Sequence, residues 1–284
     1  MIENIRIRYT MRAPVSHIGE TASTGTIFQT VLTKNGRLPI ITGNAMRGTI
    51  RDCSALDLLD TIGCKVDKEI FNILFSGGNL NGAMKNDVAK AKTVREKFPS
   101  ISLFGGGLGD MIMQGKMIAG NLYPLCKETE EMLGEPSSGI SWHNLIDEIE
   151  MTRMDNSKDD KLEKYIEDVS VENKAKASTQ MRFSVQYMAV GTTFVQDVML
   201  IDCNDLERGA FYAALVEWFK KPILGGMSAK GFGIFNAELG EMYEIDDTIV
   251  IPPHIEDLIN KYHEYISANI SSETFGILLP KGGK

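Results

Sequence analysis

The sequence predicts an α+β fold whose core elements run strand, helix, strand, strand, helix, strand, and three observations predict it. Apolar and polar residues alternate near the N-terminus, again over residues 181–201, and once more near 234–239. Helix-start signals stand between those stretches, near residues 42 and 204. Two glycine-rich segments, at 105–109 and 224–233, punctuate the pattern where loops are expected. Period-two alternation marks a half-buried strand, and a capping residue ahead of an apolar pattern marks a helix.

In order, Ile5, Ile7, Tyr9 and Met11 alternate with Arg6, Arg8, Thr10 and Arg12, giving a strand with one apolar and one basic face. Residues 13–37, rich in Ser, Thr and Gly, read as a long loop or loose hairpin. Leu38–Ile41 leads to Thr42-Gly43-Asn44, where Asn44 or Thr42 caps a helix running to about Leu59. Met46, Ile50, Leu58 and Leu59 are its inward positions. Residues 61–110 read as an insertion: a short helix near Lys68–Phe75, a charged stretch from Lys85 to Lys97 ending at Pro99, then SLFGGGLGD. Strand character resumes over Met111–Tyr123. Residues 124–178, polar and acidic, read as a protruding arm with part-helical segments.

Met181, Phe183, Val185 and Tyr187 alternate strictly, and Ala189-Val190-Gly191-Thr192 turns the chain into a second strand, Phe194–Ile201, as in a hairpin. Asn204 with Glu207 resembles a capping box for a helix burying Phe211, Leu215, Trp218 and Phe219 and ending at Pro222. LGGMSAKGFG leads into a last core strand near Ile234–Leu239. Residues 241–284 add a helix after Pro252-Pro253 and a short strand near Phe275–Leu279. Without its insertions the order is that of the ferredoxin-like and RNA-recognition-motif folds, carried by residues 1–240.

Composition narrows the function classes. Of 284 residues, 43% are hydrophobic and 24% charged, which suits a packed globular chain and excludes a disordered tail or a collagen-like repeat. No run approaches the roughly 20 apolar residues of a membrane span, and the N-terminus has no apolar signal-peptide centre. The four cysteines form no CxxC pair, so reduced thiols in a cytoplasm are expected rather than a zinc site or disulfides. The net charge of −8 argues against a nucleic-acid partner, yet it conceals an asymmetry: residues 1–97 carry +5 and residues 98–284 carry −13. Binding a phosphate backbone needs a local cationic track, not a basic average.

Several residues are candidates for such a track. Arg47 and Arg51 stand four apart on one face of a helix start, where free N–H groups also attract phosphate. The spacing alone favours the plainer alternative, in which both pair with Asp52 or Asp57 on a solvated face. Gly225 and Gly226, with Ser228 and Lys230, form a loop that allows close approach to a ligand, although it matches no P-loop. His17, near Glu20, has the chemistry of a general base, but a lone loop histidine is more often structural. Asp155, Asp159 and Asp160 alternate with lysines, the pattern of a solvated surface rather than a magnesium site. Met151, Arg153 and Met154 combine apolar wedges with a cation, equally suited to a nucleic-acid chain or a protein contact.

SHIGE (16–20), LPIITGNAMRGTIRD (38–52), SLFGGG (102–107), MTRMDN (151–156), MRFSVQYMAVGTTF (181–194) and ILGGMSAKGFGIF (223–235), in this order, resemble the RAMP superfamily of CRISPR-associated proteins. Specifically, they resemble the backbone subunit that polymerises along guide RNA in multi-subunit effector complexes. It covers about residues 1–240. The resemblance implies a modified RNA-recognition-motif core (the palm), an inserted arm (the thumb, within 124–178), and copies stacked helically along the guide. It implies that His17, Asn44, Arg47 and Arg51 contact guide RNA, that Gly225, Gly226, Ser228 and Lys230 line the same groove, and that Arg153 and Met154 belong to the thumb. In the target-cleaving type III branch a catalytic aspartate lies three residues after the glycine of the HIG segment. Here that position is Ala22, so a non-catalytic subunit nearer the type IV branch is expected; the alternative is a type III-like endoribonuclease using Glu20 or His17. The partners implied are guide RNA, further copies, other effector subunits and a target strand paired to the guide, with no cofactor, metal or membrane.

Overall fold

A computed structural model describes residues 1–22, 25–79, 87–108, 111–153 and 181–279. The first half contains β1 (Ile2–Met11), β2 (Ile18–Ala22), β3 (Gly25–Phe28), β4 (Thr30–Thr33), β5 (Gly36–Pro39), α1 (Gly43–Ile62), α2 (Lys68–Ser76), α3 (Val88–Lys97) and α4 (Pro99–Phe104). Next come β6 (Gly105–Gly107), β7 (Ile112–Gln114), β8 (Met117–Ala119), β9 (Tyr123–Pro124), α5 (Glu130–Leu133) and β10 (Ile146–Arg153). The last part holds β11 (Met181–Met188), β12 (Thr193–Ile201), α6 (Asp205–Phe219), β13 (Phe235–Leu239), β14 (Met242–Ile245), β15 (Thr248–Val250) and α7 (Pro253–Asn269).

The main sheet runs β15–β14–β13–β1–β12–β8, with β9 also on β12, and every pairing is antiparallel. In its centre β13, β1, β12 and β8 are the fourth, first, third and second core strands. With α1 between the first two and α6 between the last two, this is the ferredoxin-like arrangement. The alternation in β1 is realised: Ile5, Ile7, Tyr9 and Met11 are buried. Tyr9 meets Trp218 of α6 and Phe235 of β13, with ring centroids 5.6 and 5.3 Å away. Its hydroxyl donates to Gln196 Oε1 at 2.9 Å, so burying the ring leaves no polar atom stranded.

Local chemistry sets the helix starts. Thr42, in extended conformation, caps α1 through Oγ1, which accepts from the Ala45 amide. Met46, Ile50 and Leu58 are buried, while Leu59 is half-buried. The Asn204–Glu207 capping box forms with both bonds at 2.9 Å. Glu207 is buried and also accepts from Ser102 Oγ at 2.6 Å and Lys116 Nζ at 2.7 Å. One carboxylate thereby ties the start of α6 to α4 and to the approach to β8. Helix α7 lies along α6 so closely that a Cβ on Gly209 would collide with the Leu258 carbonyl. His263 of α7 meets Asp57 of α1 at 2.9 Å.

Three expectations change. Met181–Met188 and Thr193–Ile201 are both strands, with the turn between them, but they do not pair as a hairpin. β11 pairs with β10 and, in parallel, with β3, forming a second sheet in the order β10–β11–β3–β2, while β12 joins β1. The backbone bridge between Val15 and Met188 holds the end of β11 away from β12. The described residues of the arm hold the short helix α5 and a 3-10 turn, Trp142–Asn144, as expected, together with the strand β10. The expected strand at Phe275–Leu279 is instead a 3-10 turn, Thr274–Ile277, with Phe275 buried against Phe98. The main sheet also continues past its fourth core strand through β14 and β15, which the pattern did not mark.

Candidate nucleic-acid interface

The segment Val15–His17 links the two motifs singled out in the sequence. On one side, the Gly226 amide donates to the Ser16 carbonyl at 2.8 Å, and Gly233 donates to Pro14 at 2.8 Å. On the other, the Thr42 amide at the start of α1 donates to His17 Nε2 at 3.2 Å. The glycine loop and the helix start are therefore both stitched to one strand-like segment. Gly225 has a positive φ of 76°, and a Cβ there would collide with the Ser16 carbonyl, so glycine is required on both counts. Burial lowers the pKa of His17, keeping it neutral and able to accept the Thr42 N–H.

The start of α1 is less open than its motif suggests. Gly43 donates to Asn121 Oδ1 at 2.9 Å and Ala45 to the Thr42 side chain, so two of the first three amides are occupied. Gly43 is needed because α1 begins against the Ala119 carbonyl, where no Cβ fits, and not for a turn. Asn44 is exposed at this end.

Arg47 and Arg51 do not pair with Asp52 or Asp57. Both point their Nη2 atoms at the Phe104 carbonyl at the end of α4, and Arg51 also reaches the Gly105 carbonyl at 3.0 Å. The Arg51 guanidinium lies 5.7 Å from the centre of the Phe104 ring. Burial, reinforced by the neighbouring Arg47 charge and opposed by Asp52, lowers its pKa to about 10. Ser228 and Lys230 are exposed on a short 3-10 turn. Lys230 Nζ stands 4.2 Å from the centre of the Phe183 ring and 3.5 Å from Met151 Sδ, so the glycine loop also touches the second sheet. Arg153 ends β10 in register with Met181. Met154 lies outside the described residues, as do Asp155, Asp159 and Asp160. Ala22 ends β2 in register with Gly25.

The charges fall into two groups. On the open face of the main sheet, Arg6 pairs with Asp197 and Glu135, Arg8 with Glu135, and Arg12 with Asp246 and Asp247. The basic face expected for β1 is thus neutralised by acids far along the chain, from Glu135 to Asp247. Arg47, Arg51 and Lys230 differ: among the described residues they rest on carbonyls, an aromatic ring and a thioether, and no carboxylate forms an ion pair with them. Sequence reasoning missed the Phe104 and Gly105 carbonyls and Phe183; main-chain acceptors carry no residue-type signature.

A ferredoxin-like core with one face closed by ion pairs and unpaired cations beside a glycine loop defines an RNA-recognition-motif-like class of protein. The model of the RAMP superfamily matches residues 10–236, and the chain belongs to that superfamily. A search of curated proteins finds no match. Among solved structures, a chain of one titled "Type IV-B CRISPR Complex" is similar with a TM-score of 0.62 and 16% sequence identity. The likeness covers 88% of this chain and 94% of that one, and at this identity it speaks to the fold. No helix among the described residues is long and apolar enough to cross a membrane.

Proposed function

We propose that this protein is a guide-RNA-binding backbone subunit of a multi-subunit CRISPR effector complex of the type IV kind, assembling with further copies along the guide and presenting it to a target strand without cutting either. Membership of the RAMP superfamily and the likeness to a chain of a type IV-B complex support the reading. The observation that carries it is the contrast in charge pairing: Arg6, Arg8 and Arg12 are neutralised within the chain, whereas Arg47, Arg51 and Lys230 form no ion pair with a carboxylate among the described residues. In this reading those cations share one groove with His17 and Asn44 at the helix start and Gly225, Gly226 and Ser228 on the loop. In this reading residues 1–240 are the palm, and Arg153 and Met154 belong to the thumb.

Grip through phosphates is indifferent to base sequence and weakens with salt. Fluorescence anisotropy with single-stranded oligoribonucleotides should show both properties. Replacing Arg47 and Arg51 together with Ala should reduce the slope of log affinity against log salt by about 1.4, the value for two single-strand phosphate contacts. An unchanged slope and affinity would remove the arginines from the interface. Cleavage of a complementary RNA by the assembled complex, abolished by Glu20→Gln, would overturn the non-catalytic assignment.

A further inference from the structure

Arg47 and Arg51 do not offer open forks. A guanidinium holds a phosphate bidentately through Nε with Nη2, or through Nη1 with Nη2, so Nη2 belongs to either grip. In both residues that atom is already committed to the Phe104 carbonyl, and in Arg51 it serves the Gly105 carbonyl as well. On Arg47 the other member of the side-on fork, Nε, is buried without a partner. On Arg51 the two carbonyls engage both Nη2 hydrogens, so a phosphodiester taking either of its forks must displace a main-chain carbonyl, and one that takes the Nη2 hydrogen facing Phe104 on Arg47 does the same.

The carbonyls lie at a junction made of glycine. The Gly107 amide donates to the Gly77 carbonyl at 2.6 Å. A Cβ on Gly78 would collide with the Gly107 carbonyl, and one on Gly77 would collide with Arg51 Nη1. The end of α2, the strand β6 and the Arg51 head therefore pack backbone against backbone. Glycine loses more conformational freedom on ordering than any other residue, so this junction depends on its few hydrogen bonds. Withdrawing the arginines takes the charge-assisted ones away.

We propose that the junction of Gly77–Gly78 with Gly105–Gly107 is a switch coupled to RNA occupancy: Arg47 and Arg51 lock it in the free chain, and a phosphodiester that draws away their Nη2 atoms releases it. The proposal rests on the RNA-binding reading above and adds a regulation to the same site. By linkage, a change that loosens the junction while leaving both arginines in place tightens the hold on RNA.

Amide hydrogen exchange on the full chain, with and without a single-stranded oligoribonucleotide of mixed sequence, tests it. Peptides covering residues 76–79 and 101–108 should exchange about tenfold faster when RNA is bound. The Arg47→Ala, Arg51→Ala chain should show the same faster exchange without RNA. A gel shift proving that RNA is bound, with exchange in these peptides unchanged or slowed, refutes the switch and leaves the RNA-binding reading standing. Absence of any gel shift removes that reading, and the switch falls with it.

Discussion

His17 accepts the Thr42 amide through Nε2, and a proton on that nitrogen would end the bond. Its folded pKa lies below the ordinary 6.5 because burial disfavours the charged ring. The unfolded chain therefore binds the proton more readily, and stability rises with pH across that window. The contribution is complete above 6.5 and is lost as pH falls through the lowered folded value. Thermal midpoints measured on either side of that range should drop on acidification, and His17→Gln should flatten this part of the profile. An identical profile for the variant would mean that another group titrates. The sequence displayed His17 as a possible general base; its role as an acceptor before α1 depends on a contact 25 residues away, which local pattern does not reveal.

Among the elements, α6 was the most legible, because both halves of its start signal lie within four residues and its inward positions are large aromatics. Asn204→Ala removes the side-chain half of the box and should cost about 1 kcal/mol, read as a lower urea midpoint with an unchanged m-value. No shift would mean that Glu207, held by Ser102 and Lys116, maintains the helix start alone. The long strands β1, β11 and β12 were legible as strands but not in their pairing. Alternation in Met181–Tyr187 assigns faces, whereas the partners of β11 come from Ile146–Arg153 and Gly25–Thr26. The segment at Phe275 was misread because one buried aromatic in a short apolar run suits a 3-10 turn as well as a strand.

At the scale of the whole molecule, the excess of positive charge in residues 1–97 becomes meaningful only once partners are assigned. β1 spends its arginines on acids far along the chain, so the open sheet face carries little of that excess. Arg47, Arg51 and Lys230, which form no ion pair among the described residues, come from α1 and the glycine loop, both visible as motifs. The ties of the helix start and the loop to Val15–His17 were not visible: the loop bond joins segments about 200 residues apart, and the helix-start bond is made by the His17 side chain.

Glu135 serves two masters, accepting from Arg6 at 2.9 Å and from Arg8 at 3.0 Å. Both cations hold it below the ordinary carboxylate range against the opposing effect of its partial burial. Erasing that single negative group would leave Arg8 without a carboxylate and Arg6 with Asp197 alone, a decoy patch from which polyanions could draw weak, register-free adhesion. A Glu135→Gln chain should bind heparin and random RNA more tightly at low salt, and the gain should persist when Arg47 and Arg51 are already alanine. Such a chain would hold more RNA while organising it less.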